Sequence, residues 1–181
     1  MLPTLTLTLT LSSTSTRLTM QKYTHEIKWG LIFTAAALLW IAFEKAMGWH
    51  GEKIAQHPTM TNLFAIVAIA VYVFALLEKR KKLGGVMTWK EGFISGLLIT
   101  LVVVLLSPLS QWLTHAVITP EYFNNAIAYA VENGKASQEQ AESYFNLKSY
   151  MMQATIGGLV LGVVTSAIVA LFVRKKGVEE G

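Results

Sequence analysis

Residues 62–82 read NLFAIVAIAVYVFALLEKRKK, an apolar run that closes on four consecutive basic side chains, Lys79 to Lys82. A helix apolar on every face has no polar side to show water, so it belongs in a large core or a membrane. The basic block decides for the membrane, because cationic side chains collect where such a helix leaves the bilayer. A hydrocarbon core of about 30 Å takes roughly 20 helical residues. The strictly apolar part, Asn62 to Leu77, is short, and Met60, Thr61 and the snorkelling stem of Lys79 lengthen it enough to cross.

Three further segments have the same character: Trp29 to Met47, Phe93 to Trp112 and Tyr150 to Val173. The chain of 181 residues is 53% hydrophobic and only 14% charged, which is the composition of a membrane protein. The expected fold is all-α: one membrane domain over residues 20–176, a bundle of four transmembrane helices with short amphipathic helices on the outer side. Residues 177–181 are read as a cytoplasmic tail. The Leu-Thr alternation and Ser/Thr run of residues 1–19 lack the basic start and continuous apolar core of a signal peptide. They read as a disordered low-complexity extension, and Met20 is a candidate for the true start.

Charge sets the expected threading. Arg17, Lys22, Lys28, Lys79, Arg80, Lys81, Lys82, Lys90, Arg174, Lys175 and Lys176 fall on one side, against Lys45, Lys53, Lys135 and Lys148 on the other. The positive-inside rule then puts both termini in the cytoplasm. The net charge of +4 lies in these flanking blocks, so nucleic acid is not an expected partner.

Between spans three and four, Thr119-Pro120-Glu121 reads as the start of a helix through Glu132, with Asn133-Gly134 as its stop. Its apolar face is Phe123, Ala126, Ile127, Ala130 and Val131, and it is expected to lie flat on the surface or cap the bundle. Ser137 and Gln140 form a capping box for a second helix, expected to run unbroken into span four. Tyr144, Phe145 and Tyr150 would form an interfacial aromatic belt there. In span four Ala154, Gly158, Gly162, Ser166 and Ala170 recur every four residues, and Gly92 and Gly96 repeat the device in span three. Such ladders let helix backbones approach closely. Packing inside one bundle is the preferred reading, with a homodimer seam as the alternative. Pro108 in span three is read as a packing feature rather than a hinge.

No Asp or Cys is present, which removes disulfides, thiolate metal sites and cysteine nucleophiles. No acid, lysine or arginine lies near the middle of a span, and no phosphate loop, serine triad or zinc-helix motif is found. The expectation is no enzyme and no cofactor. The polar residue that stands out is Glu44, near the outer end of span one, where it must find water or a donor within the bundle. His50, His57 and His115 fall on the same side and are the candidate metal ligands. Their spacing fits no metalloenzyme pattern, so they are expected to be surface histidines and no metal is expected.

The stretches IKWGLIFTAAALLWIAFEKAMG, HPTMTNLFAIVAIAVYVFALLEKRKK, MTWKEGFISGLLIT and LSPLSQWLTHAVITPEYFNNAIAYAVENG resemble a bacterial family of four-span membrane proteins known as domain of unknown function 4199. The shared features are the E-K-x-x-G end of span one, the basic stretch after span two, K-x-G-F-x-x-G at span three and T-P-E-Y-F outside. The resemblance covers Met20 to about Lys176 and implies a bacterial inner-membrane location. It carries no established activity, cofactor or catalytic residue. The function expected is that of a non-catalytic structural, accessory or interaction subunit, with the lipid bilayer, a homo-oligomer or another membrane protein as partner. The alternative is a small oligomeric channel or carrier, with Glu44, Tyr72, Pro108 and Gln111 along its path.

Overall fold

A computed structural model describes the backbone of residues 4–176 and the side chains of residues 23–176. Residues 1–3 and the tail read over 177–181 lie outside the described residues, and residues 4–19 of the stretch read as an extension form the start of the first helix. Helix α1 (Thr4–Ala46) is followed by a 3-10 turn (Ile54–Gln56), the single-turn α2 (His57–Met60), a second 3-10 turn (Thr61–Leu63) and α3 (Phe64–Lys82). Then come α4 (Trp89–Leu113), a π-turn (Thr114–Ile118), α5 (Tyr122–Glu132), α6 (Gln138–Tyr144) and α7 (Leu147–Val173). Four stretches are long and apolar enough to cross a bilayer: Tyr23–Ala46, Ile54–Lys82, Trp89–Ile118 and Leu147–Val173. The all-α four-span bundle expected from the sequence is therefore observed. Large apolar side chains such as Leu39, Leu105 and Phe172 point outward and are exposed, as a lipid-facing surface requires.

The core lies in the half of the bundle nearer the basic blocks, called here the basic end. Tyr72, Ala75 and Leu76 of α3 meet Ile99 of α4 and Val169, Ala170 and Val173 of α7, with Met87 closing the layer. Gly92 and Gly96 of α4 and Gly162, Ser166 and Ala170 of α7 pack here inside one chain, whereas Ala154 and Gly158 border a cavity instead. A Cβ placed on Gly96 would lie 2.6 Å from the Ser166 hydroxyl, and one on Gly162 would lie 3.0 Å from Thr100 Cβ. Gly92 faces Ala170 in the same way, at 3.1 Å. Only a missing side chain lets α4 and α7 approach this closely, and such approach is what holds helices together where lipid offers no hydrophobic force.

Ionic contacts tie the basic end together. Glu26, fully buried on α1, accepts from Lys79 Nζ at 2.7 Å and from the Ser95 hydroxyl at 2.7 Å. Lys79 is thus more than the snorkelling anchor read from the sequence. Glu78 accepts from Lys28, from Lys82 and from the Trp29 indole. Arg80 donates to the Val173 carbonyl, and Met87 and Lys175 exchange backbone hydrogen bonds.

Pro108 sits inside a continuous α4. Its ring leaves the Val104 carbonyl without a helical amide. The Ser107 hydroxyl donates to that carbonyl at 2.9 Å and also lies 3.0 Å from the Thr155 hydroxyl of α7. The lost bond is replaced on the spot.

Outside the membrane-crossing stretches the sequence reading needs three corrections. Thr119 does not cap α5; its amide closes the π-turn on the Thr114 carbonyl at 2.7 Å, and Glu121 occupies the cap position. The buried face of α5 is Tyr122, Ala126 and Ala130, so Tyr122 replaces Phe123 as its anchor. The second outer helix does not run into span four. It stops at Tyr144, and Asn146, in extended conformation, starts α7 by accepting from the Ser149 amide at 2.9 Å. An Asn that can cap outcompetes helix continuation, because its side chain satisfies an amide that would otherwise be free. The capping box of Ser137 and Gln140 and the stop at Gly134, φ +64°, form as expected.

Candidate functional site

The end of α1 is built by the sequence EKAMGWH. Gly48 takes φ +81°, its amide donates to the Lys45 carbonyl at 3.0 Å, and the Trp49 amide donates to the Glu44 carbonyl at 3.0 Å. This is the Schellman stop, which glycine enters without a Cβ penalty. The Trp49 ring packs edge-on against Phe43, 5.7 Å between centroids, which supplies the apolar contact that accompanies the motif. The chain therefore doubles back immediately and sets His50 beside the Glu44 side chain. The following turn and α2 bring His57 to the same place.

Glu44 is buried, and so is His50, at 2% and 7% exposure. Glu44 Oε2 lies 3.1 Å from His50 Nε2 and 3.6 Å from His57 Nε2. Its other oxygen accepts from the Trp40 indole, one turn back on α1, at 2.7 Å. Glu44 thus finds its donors within the bundle, as its position demanded. Lys45 turns away and donates to the Ile118 carbonyl.

Helix α5 closes the cluster from outside. The Tyr122 ring packs against both imidazoles at about 5 Å, and its hydroxyl lies 3.3 Å from His57 Nδ1 and 3.0 Å from the Tyr150 hydroxyl. Burial pushes the Tyr122 hydroxyl above the ordinary phenol range, so it stays protonated. Asn125 holds the loop by donating to the His50 carbonyl at 2.9 Å. His115, carried by the π-turn, stacks on Phe123 at 4.0 Å between ring centroids. A cavity of about 180 Å³ lies among Glu44, His50, His57, Thr114, His115, Tyr122 and Tyr150.

The three histidines, expected at the surface, are instead gathered around one cavity, His50 buried and His57 and His115 half-buried. Sequence spacing failed to show this because the convergence is made by a helix stop, a π-turn and a capping helix that lie far apart along the chain. Gly48 is the signal that was available: a glycine four residues after a glutamate at the end of a membrane-crossing helix marks a chain reversal.

A second, larger cavity of about 560 Å³ lies within the membrane-crossing part of the bundle. Its floor is Tyr72, Thr100 and Gly162, and its walls include Phe33, Ala68, Val103 and Gly158. The rim residues Ile69 and Leu161 are exposed, which places its opening between α3 and α7, toward lipid. The Tyr72 and Thr100 hydroxyls bond one another at 2.7 Å, so the floor presents little unsatisfied polarity. Thr61 and Gln111 line both cavities, so the crevice ends at the histidine cluster. Of the residues read as a channel path, Tyr72 and Gln111 line the crevice and Glu44 the smaller cavity, whereas Pro108 lines neither.

No curated protein and no solved structure matches this chain. A family model does, that of the protein of unknown function DUF4199, over residues 28–175. That span takes in most of the first crossing stretch and the whole of the other three, the EKAMG stop and the TPEYF segment that delivers Tyr122, so the chain belongs to the DUF4199 family.

Proposed function

We propose that this chain is a non-catalytic accessory protein of the bacterial inner membrane, with both termini cytoplasmic, that holds an acyl-chain amphiphile in the crevice between α3 and α7. The crevice carries the reading. Its volume of about 560 Å³ is in the range of small-molecule pockets, which run from roughly 300 to 1,000 Å³. Its walls are apolar, its opening faces the bilayer, and its far end meets polar groups at Thr61 and Gln111. An apolar chain with a polar head, lying along the membrane normal, matches that gradient. The distribution of Lys and Arg supports the orientation.

A channel or carrier has less support. Below Tyr72 the bundle is closed by Ala75, Leu76, Met87 and Ile99, all fully buried. A path through a single chain would have to open that layer.

Mass spectrometry of lipid retained by the purified full-length chain tests the proposal. Gly158 lines the crevice, and a Cβ there would meet Val104 only at 3.7 Å, so Gly158→Leu fills the space without disturbing the backbone. Retained amphiphile that is lost in a folded Gly158→Leu chain is the expected result. Equal lipid content in the two proteins would remove the reading.

A further inference from the structure

We propose that Glu44, His50 and His57 bind one divalent transition-metal ion of the zinc class. Their ligand atoms all lie within 4.8 Å of one another. A four-coordinate ion with bonds of roughly 2.0–2.1 Å separates its ligand atoms by about 3.3–3.4 Å. The two edges from Glu44 Oε2, 3.1 and 3.6 Å, bracket that value. Two imidazoles with one carboxylate suit zinc and its neighbours, whereas calcium and magnesium call for oxygen donors.

Two of the three donors, His57 and Glu44, are held from behind as metal sites require. A ligating histidine needs its second nitrogen held, and a ligating carboxylate its second oxygen. With an ion on His57 Nε2, His57 Nδ1 donates to the Tyr122 hydroxyl, which in turn donates to Tyr150. Trp40 occupies Glu44 Oε1 and leaves Oε2 to the ion.

Charge balance points the same way. At the basic end Glu26 and Glu78 are each paired with lysine. Glu44 is buried as deeply as Glu26, yet no lysine or arginine lines its cavity. A carboxylate removed from water without a countercharge is costly, and a bound cation supplies one. His50 Nδ1, Thr114 Oγ1 and His115 Nδ1 are also buried around this cavity without a protein partner. Buried polar atoms are normally satisfied. A water on the ion's remaining position would serve Thr114 and His115, which line the same cavity, while His50 Nδ1, on the far side of its ring from an ion on Nε2, calls for a water of its own.

The test uses the full chain in detergent, with any affinity tag removed, stripped with chelator and then titrated with Zn²⁺ or Co²⁺. The expected result is one Zn²⁺ per chain by elemental analysis and visible Co²⁺ bands of a four-coordinate site. Glu44→Gln and His57→Gln should each abolish stoichiometric binding. Tyr122→Phe should weaken it about 10- to 100-fold, as the loss of an orienting partner does. His25→Gln, at the opposite end, should leave it unchanged. Should Glu44→Gln fail to fold, His57→Gln decides, because His57 sits at the partly open edge of the cluster. A folded wild-type chain that takes up no stoichiometric metal overturns the proposal, as does uptake unaltered in His57→Gln. Either result leaves an imidazole–carboxylate network as the account of the cluster. Lipid retention in the crevice is read separately, and Gly158→Leu should keep its metal.

Discussion

The amide of Trp49 donates to the carbonyl of Glu44 at 3.0 Å, and this bond makes the polar cluster a product of the way α1 ends. The same six-residue reversal that stops the helix carries His50 back beside the Glu44 carboxylate. Secondary structure and site are here one event.

Replacement of Gly48 therefore tests both. A side chain at φ +81° costs about 1–2 kcal/mol in the left-handed region. Gly48→Ala should lower the thermal unfolding midpoint in detergent accordingly, and Gly48→Asn, which tolerates that region better, should lower it less. Equal midpoints for wild type and Gly48→Ala would show that the reversal does not depend on this glycine.

The seam between α4 and α7 predicts a non-additive pair. Gly96→Ala puts a Cβ against the Ser166 hydroxyl and should destabilise the chain by about 1–3 kcal/mol, the usual cost of overpacking. Ser166→Gly removes the obstacle, so the double variant should recover most of that loss. Size-exclusion profiles give the second half of the answer. Loss of the folded monomer places the ladder inside one bundle, whereas an intact monomer that no longer dimerises would place it at a seam between chains.

At the basic end, Glu26 is buried while the Lys79 side chain is 23% exposed, so the two partners of one ion pair should respond unequally. Lys79→Met strands a carboxylate in a dry site and should cost about 3 kcal/mol, the low end for breaking a buried pair. Glu26→Gln leaves a lysine that can extend toward water and should cost less. The double variant Glu26→Gln/Lys79→Met should be milder than Lys79→Met alone. Equilibrium unfolding in mixed micelles measures all three, and a Lys79→Met chain as stable as wild type would show that Glu26 does not need its lysine.

The four crossings, their α-helical form and the ladder positions Gly92, Gly96, Gly162, Ser166 and Ala170 could be read along the chain, because each rests on local pattern, whereas Ala154 and Gly158 of the same ladder line the crevice. A run of apolar residues has no alternative to a helix in lipid, where every backbone amide must be satisfied within its own segment. Small residues every four positions mark one face of a helix whatever that face meets. The capping box at Ser137 and the stop at Gly134 are equally local, and both formed where expected. The break at Asn146 is also local, but it was hidden because a helical reading through that residue looks just as plausible until the Ser149 amide is seen to take its side chain.

Tertiary structure alone decided which polar residues meet. Glu44, His50, His57, His115 and Tyr122 come from α1, its terminal turn, α2, the π-turn and α5, and their separations along the chain hold no repeating interval. The same is true of Glu26 with Lys79 and Ser95, and of the crevice, which exists because α3 packs tightly against α7 near Leu76 and not near Ile69. A periodic pattern reports the environment of one helix. The meeting of side chains from different helices depends on where the stops, turns and small residues let those helices cross, and that is settled only when all four pack together.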